Sequence, residues 1–374
     1  MRIGVPKEIK NHEYRVGLTP ASVRELVDDG NEVLIETGAG AAIGFPDKQY
    51  TSKGGVIAAS AAEVFERAEL IVKVKEPQPG ECDMLAVGKV LFTYLHLAAD
   101  GHLTERLRAS GVTAIAYETV TGPDGGLPLL SPMSEVAGRM SVQAGAHYLE
   151  KSHGGSGILL GGVPGVAPAH VVILGGGVVG DNAAHMAVGM GARVSILDRS
   201  LPRLRALDAE YEGRAQCIFS TASAVEAYAL DADLLIGAVL VPGATAPKLL
   251  TRDVVRRMRP GSVMVDVAID QGGCFETSHP TTHADPMFTV DGVVHYCVAN
   301  MPGGCARTAT MALNNATLPF VLKLAALGLE DAIHDDLHLA RGVNVMDGRL
   351  THPAVAESLG EPWQAVRGDL FPIP

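Results

Sequence analysis

Short apolar runs alternate with amphipathic stretches of helical period along most of this 374-residue chain. The runs Glu32 to Glu36 and Leu70 to Val74 have apolar interiors and the length of buried strands. Thr19 is a capping residue followed by proline, which predicts a helix that runs to Asp29. Because this strand–helix order repeats over residues 1–120, we predict an α/β unit with a largely parallel sheet.

A second α/β unit is predicted around the glycine-rich segment that follows the apolar run Val171 to Leu174. Gly175, Gly177 and Gly180 form the pattern G-x-G-x-x-G between this predicted strand and a helix. In a dinucleotide-binding turn the first glycine permits the bend, the second lets a pyrophosphate approach, and the third lets the helix pack on the strand. The next predicted strand ends at Asp198, whose carboxylate can bind the adenosine ribose and repel a 2′-phosphate. The pattern therefore predicts a Rossmann-type domain that binds NAD.

Two alternatives stay open on these residues alone. The glycines could serve only the packing of an ordinary βαβ unit, with no nucleotide bound. Arg199, directly after Asp198, could tolerate the additional phosphate of NADP. The complete order of strand, glycine turn, helix, strand and acid favours NAD.

The alternation of strands and helices continues after Asp198. One predicted strand ends at Asp270, and the last predicted strand is Val293 to Cys297. Long helices are predicted at Met133 to Ser152 and Gly304 to Leu327, and the tail after them has helical character. We expect the α/β class, with two Rossmann-like doubly wound domains and the NAD-binding domain inserted into a discontinuous substrate domain. The expected boundaries are residues 1–128 and 307–374 for the substrate (catalytic) domain and 129–306 for the NAD-binding domain.

Composition narrows the class of protein and its partners. The chain is 47% hydrophobic and 19% charged with a net charge of −12, which disfavours nucleic acid and anionic membranes. The five cysteines show no C-x-x-C spacing and the N-terminus lacks the apolar core of a signal peptide, so we expect a cytoplasmic protein. Ser152 to Gly180 carries no charge, but its glycines and prolines argue against a membrane span.

Four residues have side chains and positions suited to a carboxylate substrate. Arg15 can bind a carboxylate through two hydrogen bonds, and Lys75 can pair with a carboxylate or polarise a carbonyl. A histidine such as His96 transfers protons near neutral pH, and Asp270 could reach the nicotinamide ribose or a catalytic water. The alternative for each is a purely structural role, which most arginines, lysines and lone histidines have.

Two histidine pairs have spacings found in metal sites. They are His334 with His338 and His279 with His283. Neither pair has a third ligand nearby in sequence, so no metal is predicted.

Longer motifs extend well beyond the glycine turn, and through them the chain resembles the alanine dehydrogenase family over nearly its whole length. Only the tail after about Glu330 matches loosely. The motifs are MRIGVPKEIKNHEYRVGLTP, LIVKVKEPQP, LFTYLHLA, LPLLSPMSEVAGRM, GGVPGV, VVILGGGVVG, DLLIGAVLVPGATAPKL, VMVDVAIDQGGCFE and YCVANMPG.

The resemblance implies reversible oxidative deamination of L-alanine to pyruvate and ammonium with NAD. It implies that Arg15 and Lys75 bind the substrate carboxylate and carbonyl. His96 would then be the general acid/base, and Asp270 the second catalytic group, which steers water onto the imine. The resemblance also implies a homohexamer.

A set of cofactor-binding residues is implied in the same way. Family members carry lysine where Arg203 stands, which keeps the charge, and some carry arginine where His279 stands, which leaves a cofactor contact there open. The implied residues, beyond the three glycines, are Ser134, Val178, Val179, Asp198, Arg203, Ser220, Val239, Leu240, Val267, Ala268, Ile269, Asp270, Val298, Ala299, Asn300 and Met301.

Two other functions compete with this one. A subunit resembling the soluble NAD-binding part of proton-translocating transhydrogenase would share the two-domain plan, but it would not need His96 and Asp270 together with a substrate clamp. A catalytically silent, NAD-responsive regulator would need neither the clamp nor the acid/base pair. The full set of four residues favours the amino-acid dehydrogenase.

Overall fold

The computed structural model describes residues 1–239 and 246–366. The chain forms two compact units, one made of Met1–Met133 and Cys305–Pro374 and the other of Ser134–Gly304. The first unit is therefore discontinuous in sequence, whereas the second is a single stretch. The assignment of the substrate to the first unit and the dinucleotide to the second stays a prediction.

The first part of the discontinuous unit alternates strands and helices. The strands are β1 (Arg2–Val5), β2 (Glu32–Glu36), β3 (Val56–Ala58), β4 (Leu70–Val72), β5 (Val90–Thr93) and β6 (Thr113–Ala116). The helices are α1 (Pro20–Asp28), α2 (Asp47–Thr51), α3 (Ala61–Arg67), α4 (Pro79–Cys82) and α5 (Gly101–Ser110). As predicted, Thr19 caps α1, where its side chain accepts a hydrogen bond from the N–H of Ser22 at 3.2 Å.

The chain passes into the second unit within α6 (Ser131–Tyr148). The strands of that unit are β7 (His170–Leu174), β8 (Arg193–Asp198), β9 (Ala215–Phe219), β10 (Leu234–Gly237), β11 (Val263–Asp266), β12 (Met287–Val290) and β13 (Val293–Tyr296). Its other helices are α7 (Val178–Gly189), α8 (Leu201–Tyr211), α9 (Ala222–Asp231) and α10 (Arg252–Arg257). Every residue of β7 is buried, as expected for a strand covered on both faces.

The tail returns to the first unit. It contains α11 (Ala306–Asp335), α12 (Leu337–Gly342), β14 (Val343–Met346), β15 (Arg349–Leu350) and α13 (Pro353–Leu359). Gly328 interrupts α11 with φ 77° and ψ 172°, a conformation that glycine adopts readily. No helix among the described residues is long and apolar enough to cross a membrane.

Both sheets have the doubly wound order. The sheet of the first unit runs β15-β14-β6-β5-β4-β1-β2-β3, and that of the second runs β12-β13-β11-β10-β7-β8-β9. In each unit, the first strand in sequence lies inside the sheet. The second and third strands lie on one side of it, and the fourth pairs with it on the other side. This order creates a crevice at the carboxyl ends of the first and fourth strands, where such folds bind ligands. The predicted fold class is confirmed.

Several strand predictions are wrong in detail. Asp270 does not end a strand, because β11 stops at Asp266 and a 3₁₀ turn spans Val267–Gln271. β12 was not predicted, and the tail contains β14 and β15 as well as helices. Both additional hairpins turn at an Asp-Gly pair with positive φ at each residue. The pairs are Asp291-Gly292 (50° and 82°) and Asp347-Gly348 (51° and 71°). Such pairs are the sequence signal of a two-residue hairpin turn.

Candidate active site

Arg15 lies in the loop after β1 and is held there by a neighbouring carboxylate. Glu13 accepts hydrogen bonds from Nε of Arg15 at 2.7 Å and from Nη2 at 2.6 Å, and Nη1 faces the sulfur of Met133 at 3.0 Å. The Arg15 and Glu13 side chains are 2% and 0% exposed. Burial works against the charge, but the Glu13 carboxylate more than offsets this and raises the pKa of Arg15. The guanidinium is thus charged and fixed in orientation.

Lys75 follows β4 and is also buried. Oε1 of Glu8 accepts hydrogen bonds from the backbone N–H groups of Val74 at 2.7 Å and Lys75 at 3.3 Å. The other oxygen of Glu8 accepts from Nζ of the fully buried Lys73 at 3.2 Å, and Lys73 also donates to Glu81 at 2.7 Å. This buried network fixes the backbone from which the Lys75 side chain extends.

His96 stands just past the end of β5 in a left-handed conformation, with φ 54° and ψ 35°. Such a conformation in a non-glycine residue costs roughly 1 kcal/mol and is common at functional sites. Glu118 stabilises the turn, because its Oε1 accepts from the backbone N–H of His96 at 2.6 Å. The His96 ring stacks on that of Tyr94, with centroids 5.9 Å apart, and its side chain is 47% exposed. It is therefore both oriented and accessible.

Arg15, Lys75 and His96 come after the carboxyl ends of neighbouring strands in one sheet. Arg15, Lys75 and His96 follow β1, β4 and β5, which are neighbours in the sheet, and all three strands are parallel. The backbone N–H of Tyr94 donates to the carbonyl of Val74 at 3.3 Å, so the ends of β4 and β5 are also joined. The fold therefore places two cationic side chains and a histidine after three neighbouring strands, while their roles stay a prediction.

The glycine turn of the second unit has the features of a phosphate-binding turn. Gly175 has φ 101°, and a Cβ there would lie 2.7 Å from the carbonyl oxygen of Ala238. A Cβ on Gly180 would lie only 1.8 Å from the carbonyl oxygen of Gly175, so the start of α7 can pack there only with glycine. A Cβ on Gly177 would meet no atom within 4 Å, which leaves open space over the N-terminus of α7. The residues present thus fit a bound pyrophosphate.

Asp198 ends β8 beside this turn. Its Oδ2 accepts from the backbone N–H of Gly176 at 2.7 Å, and its Oδ1 accepts from the N–H of Ser200 at 2.7 Å. Because a carboxylate has about four acceptor positions, hydroxyl groups of a ribose can still bind to it. Arg203 donates to the carbonyl of Gly176 and to Asp181, the latter at 2.7 Å, so it also lies at the turn.

Asp270 is exposed in the 3₁₀ turn after β11. Its Oδ2 accepts from the backbone N–H of Asn300 at 3.4 Å, which connects the turn with the segment after β13. Asn300 has φ 59°, a left-handed conformation that is strained for a non-glycine residue.

The other predicted cofactor residues of the second unit lie mostly beyond strand ends. Ser134 is in α6, and Leu240 is outside the described residues. Val178 and Val179 are in the first turn of α7, and the remainder follow β9, β10, β11 and β13: Ser220, Val239, Val267, Ala268, Ile269, Val298, Ala299 and Met301.

Sequence reasoning missed the residues that support the site. Glu8, Glu13, Tyr94 and Glu118 were not singled out, although Glu8 and Glu13 lie in the same polar loop as Arg15. A loop that carries two carboxylates and then becomes buried must pair them with cations or N–H groups, which is the available signal. His279 stacks on Phe288, with ring centroids 3.7 Å apart, and His283 lies 3.2 Å from the carbonyl oxygen of Asn300.

Two family models match the chain. The model described as alanine dehydrogenase/PNT, N-terminal domain, matches residues 4–137, and that described as alanine dehydrogenase/PNT, C-terminal domain, matches residues 141–353.

Known proteins are similar over nearly the full length. An alanine dehydrogenase of Halomonas elongata is 63% identical over 96% of this chain and 97% of its own. A solved L-alanine dehydrogenase has a TM-score of 0.93 at 56% identity, covering 96% of this chain and 99% of that one. A solved transhydrogenase of Sinorhizobium meliloti has a TM-score of 0.81 at 25% identity, covering 95% of this chain and 100% of that one.

Proposed function

The chain belongs to the alanine dehydrogenase/PNT family, and we propose that it catalyses the reversible, NAD-dependent oxidative deamination of L-alanine to pyruvate and ammonium. The observation that carries the proposal is the placement of Arg15, Lys75 and His96 beyond three adjacent strands of one sheet. The high identity to alanine dehydrogenases supports it, whereas the transhydrogenase is a much more distant relative.

The two buried cations bind the substrate. Arg15 binds the carboxylate of L-alanine, since Glu13 fixes the plane of its guanidinium. Lys75 binds the carboxylate and, in the reverse direction, the carbonyl oxygen of pyruvate. Because both side chains are buried, their attraction for an anion is stronger than it would be in water.

The glycine turn binds the dinucleotide. NAD bound here would supply the acceptor for the hydride that leaves Cα of the amino acid. The first amides of α7 and the open space at Gly177 would hold its pyrophosphate, and Asp198 would accept hydrogen bonds from its adenosine ribose. The carboxylate of Asp198 also repels a 2′-phosphate, which favours NAD over NADP despite the exposed Arg199. Most of the other predicted cofactor residues that the structure describes follow strands of the same sheet, which supports this binding edge.

His96 transfers protons, and Asp270 orients the attacking water. Loss of hydride from Cα gives iminopyruvate, and Asp270 orients the water that adds to it. His96 takes and returns protons as ammonium leaves, and its exposed ring is accessible to substrate. In the reverse direction His96 protonates the oxygen that departs as water.

We extend the proposal to the assembly and the compartment. The family resemblance supports a homo-oligomer, specifically a hexamer. The five cysteines are all thiols without a disulfide, which supports a reducing compartment and hence the cytoplasm. Light scattering coupled to size-exclusion chromatography measures the subunit number directly.

The test uses the purified chain with no added partner. Incubation with L-alanine and NAD should form NADH, followed at 340 nm, and pyruvate with ammonium should consume it. A transhydrogenase-like subunit would form no NADH from L-alanine alone, and a silent regulator would bind NAD without turnover. Either of these results would overturn the proposal.

A further inference from the structure

Three potential metal ligands meet at the C-terminal end of α6. His147 is in the last turn of this helix, Glu150 follows it, and His153 ends the 3₁₀ turn Lys151–His153. We call His147, Glu150 and His153 the helix-end cluster. It lies within the second unit and shares no residue with the sites predicted above.

The donor atoms of the cluster face one another. Nδ1 of His147 lies 3.7 Å from Oε1 of Glu150, and Nδ1 of His153 lies 3.7 Å from Oε2 of the same carboxylate. The two imidazole rings are 3.9 Å apart between centroids, and one donor atom of each of the three residues lies within 4.8 Å of the others.

These separations are too long for hydrogen bonds and somewhat longer than those between ligands of a bound ion. A nitrogen–oxygen distance of 3.7 Å is too long for a hydrogen bond. Two ligands of a tetrahedral Zn²⁺, each at about 2.0–2.1 Å from the metal, lie about 3.3 Å apart. The two histidine–glutamate separations are a few tenths of an ångström wider than in a loaded site, and the donor atoms of all three residues lie within 4.8 Å of one another, so rotation of the side chains must bring them together around an ion.

The backbone that carries the cluster is firmly held. Leu149 is buried in the core of the second unit, and its carbonyl accepts from the N–H of Gly157 at 2.8 Å. The N–H of Gly155 donates to the carbonyl of Glu150 at 3.2 Å, and that of Ser156 donates to Gly261 at 2.8 Å. An ion bound here would therefore need little backbone ordering, which favours affinity.

The charges nearby are compatible with a cation. Glu150 supplies a negative charge, and the histidines bind metals in their neutral form. The ammonium of Lys151 lies 3.4 Å from the carbonyl oxygen of Gly155. The hydroxyl of Ser152 lies 3.3 Å from Nδ1 of His153, a contact that an ion bound to this nitrogen would replace.

We propose that the helix-end cluster binds a divalent transition-metal ion through two imidazole nitrogens and one carboxylate oxygen, with water completing the coordination. Two nitrogen donors and one oxygen donor suit Zn²⁺, Co²⁺, Ni²⁺ or Cu²⁺ rather than Mg²⁺ or Ca²⁺. Since the ligands are half exposed, the ion exchanges with solvent, and its site is separate from the proposed oxidoreductase chemistry.

Calorimetric titration of the full chain with Zn²⁺ tests the proposal. One Zn²⁺ per chain should bind at this site, and the double variant His147→Ala/His153→Ala should bind it at least tenfold more weakly. Glu150→Gln should have an intermediate effect. The matched control is His334→Ala/His338→Ala, which removes the other histidine pair spaced for a metal and should leave the binding unchanged.

Titration with Co²⁺ gives a readout that depends on coordination. The parent chain should show visible d–d absorption that the double variant lacks, while circular dichroism shows both chains folded. Equal Zn²⁺ affinity in parent and double variant, or no binding by the parent, would overturn the proposal. Formation of NADH from L-alanine, measured with a chelator present, reports separately on the proposed enzymatic function.

Discussion

Glu13 binds Arg15 through both carboxylate oxygens, although the two residues are only two positions apart in the chain and both are buried. The same carboxylate also accepts from the backbone N–H of Arg15 at 3.0 Å. A guanidinium held in this way cannot rotate to follow a substrate, so the substrate must fit it. The pair therefore determines where the carboxylate of the amino acid lies.

Removing the Glu13 carboxylate should destabilise the fold and weaken substrate binding. Glu13→Ala takes away the charge that compensates a buried arginine, which costs about 3 kcal/mol or more. Urea unfolding measures the loss, and the KM for L-alanine should rise in the same variant. The control is Asp28→Ala, which breaks the exposed Arg24–Asp28 pair and should change stability by less than about 1 kcal/mol. Equal effects of the two substitutions would contradict the role of Glu13.

His96→Ala should reduce turnover of L-alanine by about 10²- to 10⁴-fold, the usual effect of losing an acid/base group. NAD affinity, measured by calorimetry, should stay unchanged, because His96 belongs to the first unit and not to the glycine turn. His102→Ala, a change at an exposed position on α5, serves as the control and should keep normal turnover. Near-normal turnover of His96→Ala would remove this residue from the mechanism.

Three glycine-to-alanine changes on α7 and its N-terminal turn should separate folding from dinucleotide binding. Gly180→Ala places a methyl group 1.8 Å from a carbonyl oxygen and should lower both stability and NAD affinity. Gly177→Ala meets no protein atom within 4 Å, so stability should hold while NAD binding weakens by about tenfold or more. A Cβ on Gly189 also meets no atom within 4 Å. Gly189→Ala should therefore leave NAD affinity unchanged and should not lower stability, because alanine favours a helix by up to about 1 kcal/mol over glycine.

Thermal unfolding and NAD titration of the three chains are the required measurements. If Gly177→Ala bound NAD as well as the parent did, the pyrophosphate would not lie over this residue. If Gly180→Ala were as stable as Gly189→Ala, the close contact at the start of α7 would not matter.

Removing the negative charge of Asp198 should weaken the preference for NAD over NADP. Asp198→Asn removes the repulsion of a 2′-phosphate, so the ratio of kcat/KM for NADP to that for NAD should rise by about tenfold, or roughly 1.4 kcal/mol. Asp208→Asn on α8 is the control and should leave the ratio unchanged. An unchanged ratio in Asp198→Asn would show that other residues select the cofactor.

His352 should make the fold sensitive to acid. Burial lowers the pKa of His352 from 6.5 to about 4, against the opposing influence of the Glu118 carboxylate. The unfolded chain binds a proton here below pH 6.5 while the folded chain does not, so stability is full above pH 6.5 and falls towards pH 4. The total effect is up to about 3 kcal/mol.

The control is the variant His352→Gln, whose side chain does not titrate. Urea unfolding at pH 7.5 and pH 4.5 should show a smaller loss of stability in the variant. A parallel loss in both chains would assign the acid sensitivity to other groups.

The strand–helix alternation and the glycine turn could be predicted because each depends on residues close in sequence. Gly175 has a positive φ, Gly180 packs against the carbonyl oxygen of Gly175, and Thr19 caps the helix that follows it. The two additional hairpins were also predictable, since Asp291-Gly292 and Asp347-Gly348 each mark a turn. None of the residues of β12 is fully buried, so its sequence lacks the apolar run of a buried strand. This is why β12 was not predicted.

The support around the candidate site could not be predicted in the same way. Glu8 binds the side chain of Lys73 and the N–H of Val74 only because β1 and β4 are neighbours. These partners are separated from Glu8 by 65 and 66 positions in the chain. The strained backbone of His96 depends on Glu118, 22 positions away. Such pairs follow from the strand order, which a single sequence does not specify.

The interrupted layout of the first unit has a consequence for biosynthesis. Strand β14 pairs with β6, although Val343 and Ile115 are separated by the whole of the second unit. On the ribosome, β7 to β13 are all synthesised before β14 emerges, so the inserted unit can fold while its host still exposes an unpaired edge. During that interval β6 presents unpaired backbone groups, which can pair with a strand of another polypeptide.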